Sequence, residues 1–113
     1  MQSMQEMYRA RRGNAFDALN HVRDGDMIIV PTGVGEPPAL LHALSQECRG
    51  FHDVQVAQIL AMRKYDYFAP ECRPHVRHAA LFFGGASRAG GQGGWCDFIP
   101  NYFSEIPALI ERG

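Results

Sequence analysis

Met27-Ile28-Ile29-Val30-Pro31-Thr32-Gly33-Val34-Gly35-Glu36-Pro37-Pro38-Ala39-Leu40-Leu41 is the stretch that decides the fold. Four consecutive apolar residues follow the turn Asp24-Gly25-Asp26, as expected of a parallel strand buried on both faces. Pro37 and Pro38 then stand where the first turn of a helix tolerates their missing N–H groups. Leu40, Leu41 and Leu44 carry that helix towards Arg49-Gly50, and Val54 to Leu60 predicts a second strand. Strand, helix and strand at this spacing make a βαβ unit, so the two strands should run parallel with a right-handed crossover. The expected fold class is α/β: an open, mostly parallel sheet with flanking helices.

Before this unit, Asn14 reads as a helix cap, with Asp17 in the first turn. Ala15, Ala18, Leu19 and Val22 form one apolar stripe that ends at Gly25. Arg9, Arg11 and Arg12 belong to a solvated helix or lead-in. After the unit, Met62 to Pro74 reads as an irregular connection rich in aromatics (Tyr65, Tyr67, Phe68), and Val76 to Phe83 as a third strand. That strand empties into Gly84-Gly85-Ala86-Ser87-Arg88-Ala89-Gly90-Gly91-Gln92-Gly93-Gly94, which holds half of the twelve glycines. Such a segment is either a mobile surface loop or a place where backbone approaches backbone or ligand without a Cβ in the way; composition alone favours the loop. Ser104 can cap a short last helix that tolerates Pro107 and turns Ile106, Leu109 and Ile110 to one side. A sheet that halts after a helix with no closing strand looks incomplete, so residues 1–113 are expected to be one domain and a fragment of a longer protein.

Composition narrows the function classes. A net charge of −1 implies no basic face for nucleic acid. No apolar run approaches the ~18 residues of a membrane span. Cys48, Cys72 and Cys96 are odd in number and lack C-x-x-C spacing, which points to a reducing, cytoplasmic setting without a disulfide frame or zinc site. His75 and His78 lie three apart at a predicted strand, where they point to opposite faces and cannot grip one ion. No metal is assigned.

Gly33-Val34-Gly35 lies between strand and helix, where backbone N–H groups can hold an anion. A dinucleotide fingerprint would need glycine at 38, where Pro38 stands, so this is a generic ligand loop. Glu36 could serve as base or nucleophile; the favoured reading is an anion complementing the helix N-terminus. Arg88 could hold a carboxylate or phosphate bidentately, or be a surface arginine. Asp66 and Asp97, each beside aromatics, read as structural.

In order, Asn14-Ala15-Phe16-Asp17-Ala18, Asp24-Gly25-Asp26, Gly33-Val34-Gly35-Glu36-Pro37-Pro38-Ala39-Leu40, Ser87-Arg88 and Asp97-Phe98-Ile99-Pro100-Asn101-Tyr102-Phe103-Ser104-Glu105-Ile106-Pro107 resemble the N-terminal part of the acetyl-CoA hydrolase/transferase family. That family includes 4-hydroxybutyrate, acetate, butyrate and succinate CoA-transferases. The resemblance runs from about Tyr8 to Gly113. It implies two similar α/β halves with acyl-CoA in the crevice between them. It also implies a ping-pong reaction in which a glutamate forms an acyl anhydride and then a glutamyl-CoA thioester, from which an acceptor carboxylate takes the CoA.

The family's catalytic glutamate and its glycine-rich CoA loop lie in the C-terminal half. No catalytic residue is therefore assigned within this chain, which alone should be inactive. By the resemblance, Gly33, Val34, Gly35, Glu36 and Pro37 would line the acyl or carboxylate side of the crevice, and Arg88 would anchor the same wall or an interdomain contact. Coenzyme A would enter as substrate, with no bound cofactor. The expected partners are acyl-CoA, small carboxylates, the C-terminal half or a partner chain, and a second copy in a homo-oligomer. An acyl-CoA hydrolase of the same lineage and a non-catalytic subunit of a larger complex are the alternatives.

Overall fold

Four parallel strands, β1 (Met27–Val30), β2 (Val54–Gln58), β3 (Val76–Ala80) and β4 (Cys96–Phe98), lie side by side in chain order in the computed structural model, which describes residues 1–112. Ile28 faces Val56, Val56 faces His78, and His78 faces Cys96 across the sheet. Parallel strands in unbroken order, joined by right-handed crossovers, send every connection over the same face. The crossovers are α3 (Pro38–Gln46), the aromatic connection with a 3₁₀ turn at Asp66–Phe68, and α4 (Arg88–Gln92). Leu41 and Leu44 of α3, Tyr67 and Phe68 of the connection, and Ala86 before α4 share one buried cluster with Val54, Val56 and Val76. Helices α1 (Met4–Arg11) and α2 (Ala15–Leu19) precede the sheet, and α5 (Ile106–Arg112) follows it.

Alternation along the strands puts a different set of residues on the opposite face. At one end of it Arg77 Nη2 and Nε donate to Asp97 at 2.7 and 3.0 Å, and Gln55 Nε2 donates to the same carboxylate at 3.2 Å. At the other end Ile29, Ile59, Leu81 and Ile99 face Leu109 and Ile110 of α5 across an apolar groove of about 500 Å³. This face is only partly covered: Met27 and Ile29 of the edge strand remain half exposed.

Three expectations change. The helix after Asn14 stops at Leu19, although the reciprocal capping by Asn14 and Asp17 is present and Leu19 and Val22 still pack on the core. Cys48 and Cys72 form a disulfide, with Cα atoms 5.5 Å apart, that ties the end of α3 to the aromatic connection. Cysteine number and spacing could not foresee a pair brought together by the crossover; Cys96 is the one left free, buried against the core.

The third change is the glycine-rich segment. It is not a mobile loop but the crossover to a fourth strand, whose three residues carried no periodic signal. A crossover this short brings helix backbone against the sheet. A Cβ on Gly90 would stand 2.6 Å from Cys96 Cβ and 2.8 Å from the Trp95 ring, and one on Gly91 would meet the Phe83 ring at 2.6 Å. We expect Gly90→Ala to cost about 1–3 kcal/mol by overpacking, read by urea denaturation, because Cys96 is fixed in a strand and cannot retreat. Gly50→Ala, with open space at its Cβ, is the matched control.

Candidate ligand loop at the strand ends

All four strands point their C-terminal ends the same way, and in parallel sheets those ends carry the ligand loops. The loop after β1 begins with Pro31-Thr32, makes a 3₁₀ turn at Gly33–Gly35, and enters α3 through Glu36-Pro37. Gly33 takes φ +61°, the left-handed region that favours glycine. Gly35 lies under Pro31, whose Cβ would be 3.2 Å from an added methyl group. Between them Val34 projects fully into solvent.

Two side chains fasten this loop to the one after β2. Thr32 Oγ1 donates to the Leu60 carbonyl at 3.0 Å and accepts from the Leu60 N–H at 3.1 Å. Glu36 turns inward instead of towards solvent, and its residue is only 8% exposed. Its Oε2 accepts from Gln58 Nε2 at 2.7 Å and from the Met62 N–H at 3.0 Å, and its Oε1 accepts from the Tyr65 hydroxyl at 2.7 Å. Arg63 approaches Oε1 at 3.8 Å while most of its side chain stays in water. Gln58 Nε2 also donates to the Pro31 carbonyl at 3.1 Å.

Burial by itself would raise the Glu36 pKa. The Met62 N–H, the Gln58 and Tyr65 hydrogen bonds and the Arg63 charge together outweigh it and hold the carboxyl below its usual range. Burial and the bond to Glu36 push the Tyr65 phenol up to about 12, so it remains a donor at neutral pH. The carboxylate is thus ionised, internally satisfied and structural in its contacts. Its hydrogen bonds run across to the end of β2 and the loop beyond it, to Gln58, Met62 and Tyr65.

The loop after β3 completes the row. Gly84 lies directly against the Leu60 side chain, with no room for a Cβ between them. Arg88 opens α4, is exposed, and makes no ion pair among the described residues. It is not brought into hydrogen-bond contact with the Gly33–Pro37 loop. Neighbouring Ser87 is completely buried and its Oγ has no hydrogen-bond partner among the described residues. Among the described residues no three His, Cys, Asp or Glu side chains converge as metal ligands do. His75 Nδ1 is instead 2.9 Å from the Phe51 carbonyl oxygen, and His78 lies in the core.

The sequence profile of the acetyl-CoA hydrolase/transferase N-terminal domain matches residues 1–113. The chain belongs to this family. Among curated CoA-transferases, it is 34% identical over 108 residues to succinyl-CoA:cyclohexane-1-carboxylate CoA transferase of Geobacter metallireducens, covering 96% of this chain and 24% of that protein. It is 29% identical over 108 residues to 4-hydroxybutyrate coenzyme A transferase of Clostridium kluyveri, covering 96% and 25%. Among solved structures, RipA from Yersinia pestis superposes with a TM-score of 0.81 at 22% identity, over 96% of this chain and 28% of that one. This acetyl-CoA hydrolase/transferase domain chain therefore spans about a quarter of the length of the curated relatives it matches.

Gln58, Met62 and Tyr65, which hold Glu36 of the candidate loop, are residues that sequence reasoning did not single out. The only signal they carry is local: a glutamine ending an apolar strand, and aromatic residues in a segment otherwise read as irregular.

Proposed function

We propose that this chain forms the opening part of the N-terminal domain of a CoA-transferase and supplies one wall of its acyl and carboxylate crevice. The enzyme moves CoA between a short-chain acyl-CoA and a carboxylate through a glutamyl-CoA intermediate on a glutamate outside residues 1–113. Gly33, Val34, Gly35 and Pro37 line that wall, Glu36 supports it from behind, and Arg88 contributes an exposed cation to the same wall or to an interdomain contact. Coenzyme A is a substrate, and the C-terminal half of the enzyme or a partner chain completes the crevice. The assembly works as a homo-oligomer in the cytoplasm, where deep burial of Cys48 and Cys72 shields their bridge from thiol exchange.

The observation that carries the reading is the engaged state of Glu36. It is the one carboxylate of the ligand loop, and its oxygens are occupied by Gln58, Met62 and Tyr65. A nucleophilic carboxylate needs an open lone pair aimed at the thioester carbonyl, so the reacting glutamate is assigned elsewhere. The test is mass spectrometry of the intact enzyme after incubation with acyl-CoA alone. A CoA thioester should be found on a glutamate beyond Gly113. An adduct on Glu36, or turnover by the 113-residue chain alone, overturns the reading. Supplying a carboxylate acceptor separates the two branches of the family: new acyl-CoA marks a transferase, whereas free CoA with no acceptor product marks a hydrolase.

A further inference from the structure

We infer that Glu36 is a positioning residue: its carboxylate sets the spacing between the loops that follow β1 and β2, and it takes no part in bond making. The activity arm of this inference rests on the transferase reading; its structural arm does not.

The argument begins with where the donors come from. Glu36 belongs to the loop after β1, but every strong donor to it lies between residues 58 and 65, at the end of β2 and beyond. One side chain therefore bridges two loops that the sheet alone leaves free. Thr32 and Leu60 form a second bridge at the other end of the Gly33–Gly35 turn. The turn is pinned on both sides, and what it leaves facing solvent is Val34. Three hydrogen bonds to a buried, ionised group are of the strong, charge-assisted kind. Removing the carboxylate leaves the Met62 N–H and the Tyr65 hydroxyl without their acceptor, while Gln58 keeps the Pro31 carbonyl and Thr32 keeps Leu60, so the second loop loosens at its Met62–Tyr65 end. In a crevice where geometry supplies much of the rate, a shift of about 1 Å costs on the order of 100-fold.

Three substitutions in the intact enzyme separate positioning from chemistry. In Glu36→Gln the amide oxygen still accepts from Gln58 and Met62, and its NH₂ can donate to the Tyr65 hydroxyl, so the bridge survives without its charge. We expect kcat to fall about tenfold or less, the scale of weakened hydrogen bonds. Glu36→Ala removes the bridge, and kcat should fall on the order of 100-fold with KM changed much less. Glu36→Asp keeps the charge but shortens the reach by one methylene, and should resemble alanine more than glutamine.

Hydrogen exchange provides the structural arm. The Met62 amide should exchange about tenfold faster or more in the alanine and aspartate variants and stay protected in the glutamine variant. Glutamine as damaging as alanine, with Met62 still protected, overturns the inference, because the charge would then be used in the reaction. Aspartate with full activity, or an alanine variant with unchanged exchange, overturns it as well. If alanine fails to fold, the aspartate and glutamine pair decides. If the wild-type enzyme transfers no CoA, the transferase reading falls, and Met62 exchange alone judges this inference.

Discussion

Tyr67→Ala should lower the unfolding free energy by about 3–5 kcal/mol, the usual cost of removing a large aromatic side chain from a core. Tyr67 is 1% exposed. Its ring meets Phe68 edge-on at 4.8 Å and stacks on Tyr65 at 6.2 Å. Its hydroxyl lies 2.9 Å from His78 Nδ1, and its N–H donates to Ser45 Oγ of α3 at 3.1 Å. The residue therefore joins the aromatic connection, α3 and β3 at one point. Tyr67→Phe keeps the packing and deletes only the partner of His78, so it should cost about 1–3 kcal/mol, the price of orphaning a buried polar group. Urea denaturation of both variants checks the pair. An alanine variant within about 1 kcal/mol of wild type would falsify the placement of Tyr67 at the centre of the core.

Acid should unfold the domain through His78 before it does so through the carboxylates. Burial lowers the His78 pKa from 6.5 to about 4, with the Glu36 charge opposing, and its Nε2 has no hydrogen-bond partner among the described residues. The native state thus holds a neutral imidazole while the unfolded chain binds a proton from pH 6.5 downward. The unfolded state binds more protons throughout this window, so stability rises with pH. The contribution is complete above pH 6.5 and is lost as pH falls towards 4. At 1.36 kcal/mol per pKa unit, the full loss is about 3 kcal/mol.

Glu36 and Asp97 carry folded-state pKa values below the ordinary range: burial opposes the hydrogen bonds at Glu36, and the Arg77 hydrogen bond leads at Asp97. Their contributions are present above the unfolded carboxylate range and disappear only at lower pH. Urea titrations at pH 7 and pH 5 should differ by about 2 kcal/mol in wild type. In His78→Gln, which cannot titrate, most of that difference should vanish. An equal pH 7 to pH 5 loss in the variant would transfer the effect to other groups.

Much of the architecture was legible because it follows from local rules. The apolar run Met27–Val30, the prolines at the entrance of α3 and the run beginning at Val54 specify a parallel βαβ unit by periodicity and turn chemistry alone. The Gly33–Pro37 connection was readable for the same reason: it lies where a parallel strand hands over to a helix. The fourth strand was not readable. Three residues are too few to show a period, and Gly84 to Gly94 has the composition of a loop. Those glycines serve packing, since Gly90 and Gly91 let a short crossover lie against Cys96, Trp95 and Phe83.

By itself, then, the order of residues determined the α/β class, the parallel direction of the strands, the place of the Gly33–Pro37 connection and the family likeness, all of which depend on spacing along the chain. Tertiary structure alone decided that Cys48 meets Cys72, that Glu36 faces Gln58, Met62 and Tyr65 rather than solvent, and that Arg88 makes no ion pair among the described residues. Each of these depends on residues more than twenty positions apart, or on which face of a helix meets water. Such meetings are fixed by how crossovers pack on a sheet, and no local pattern encodes them.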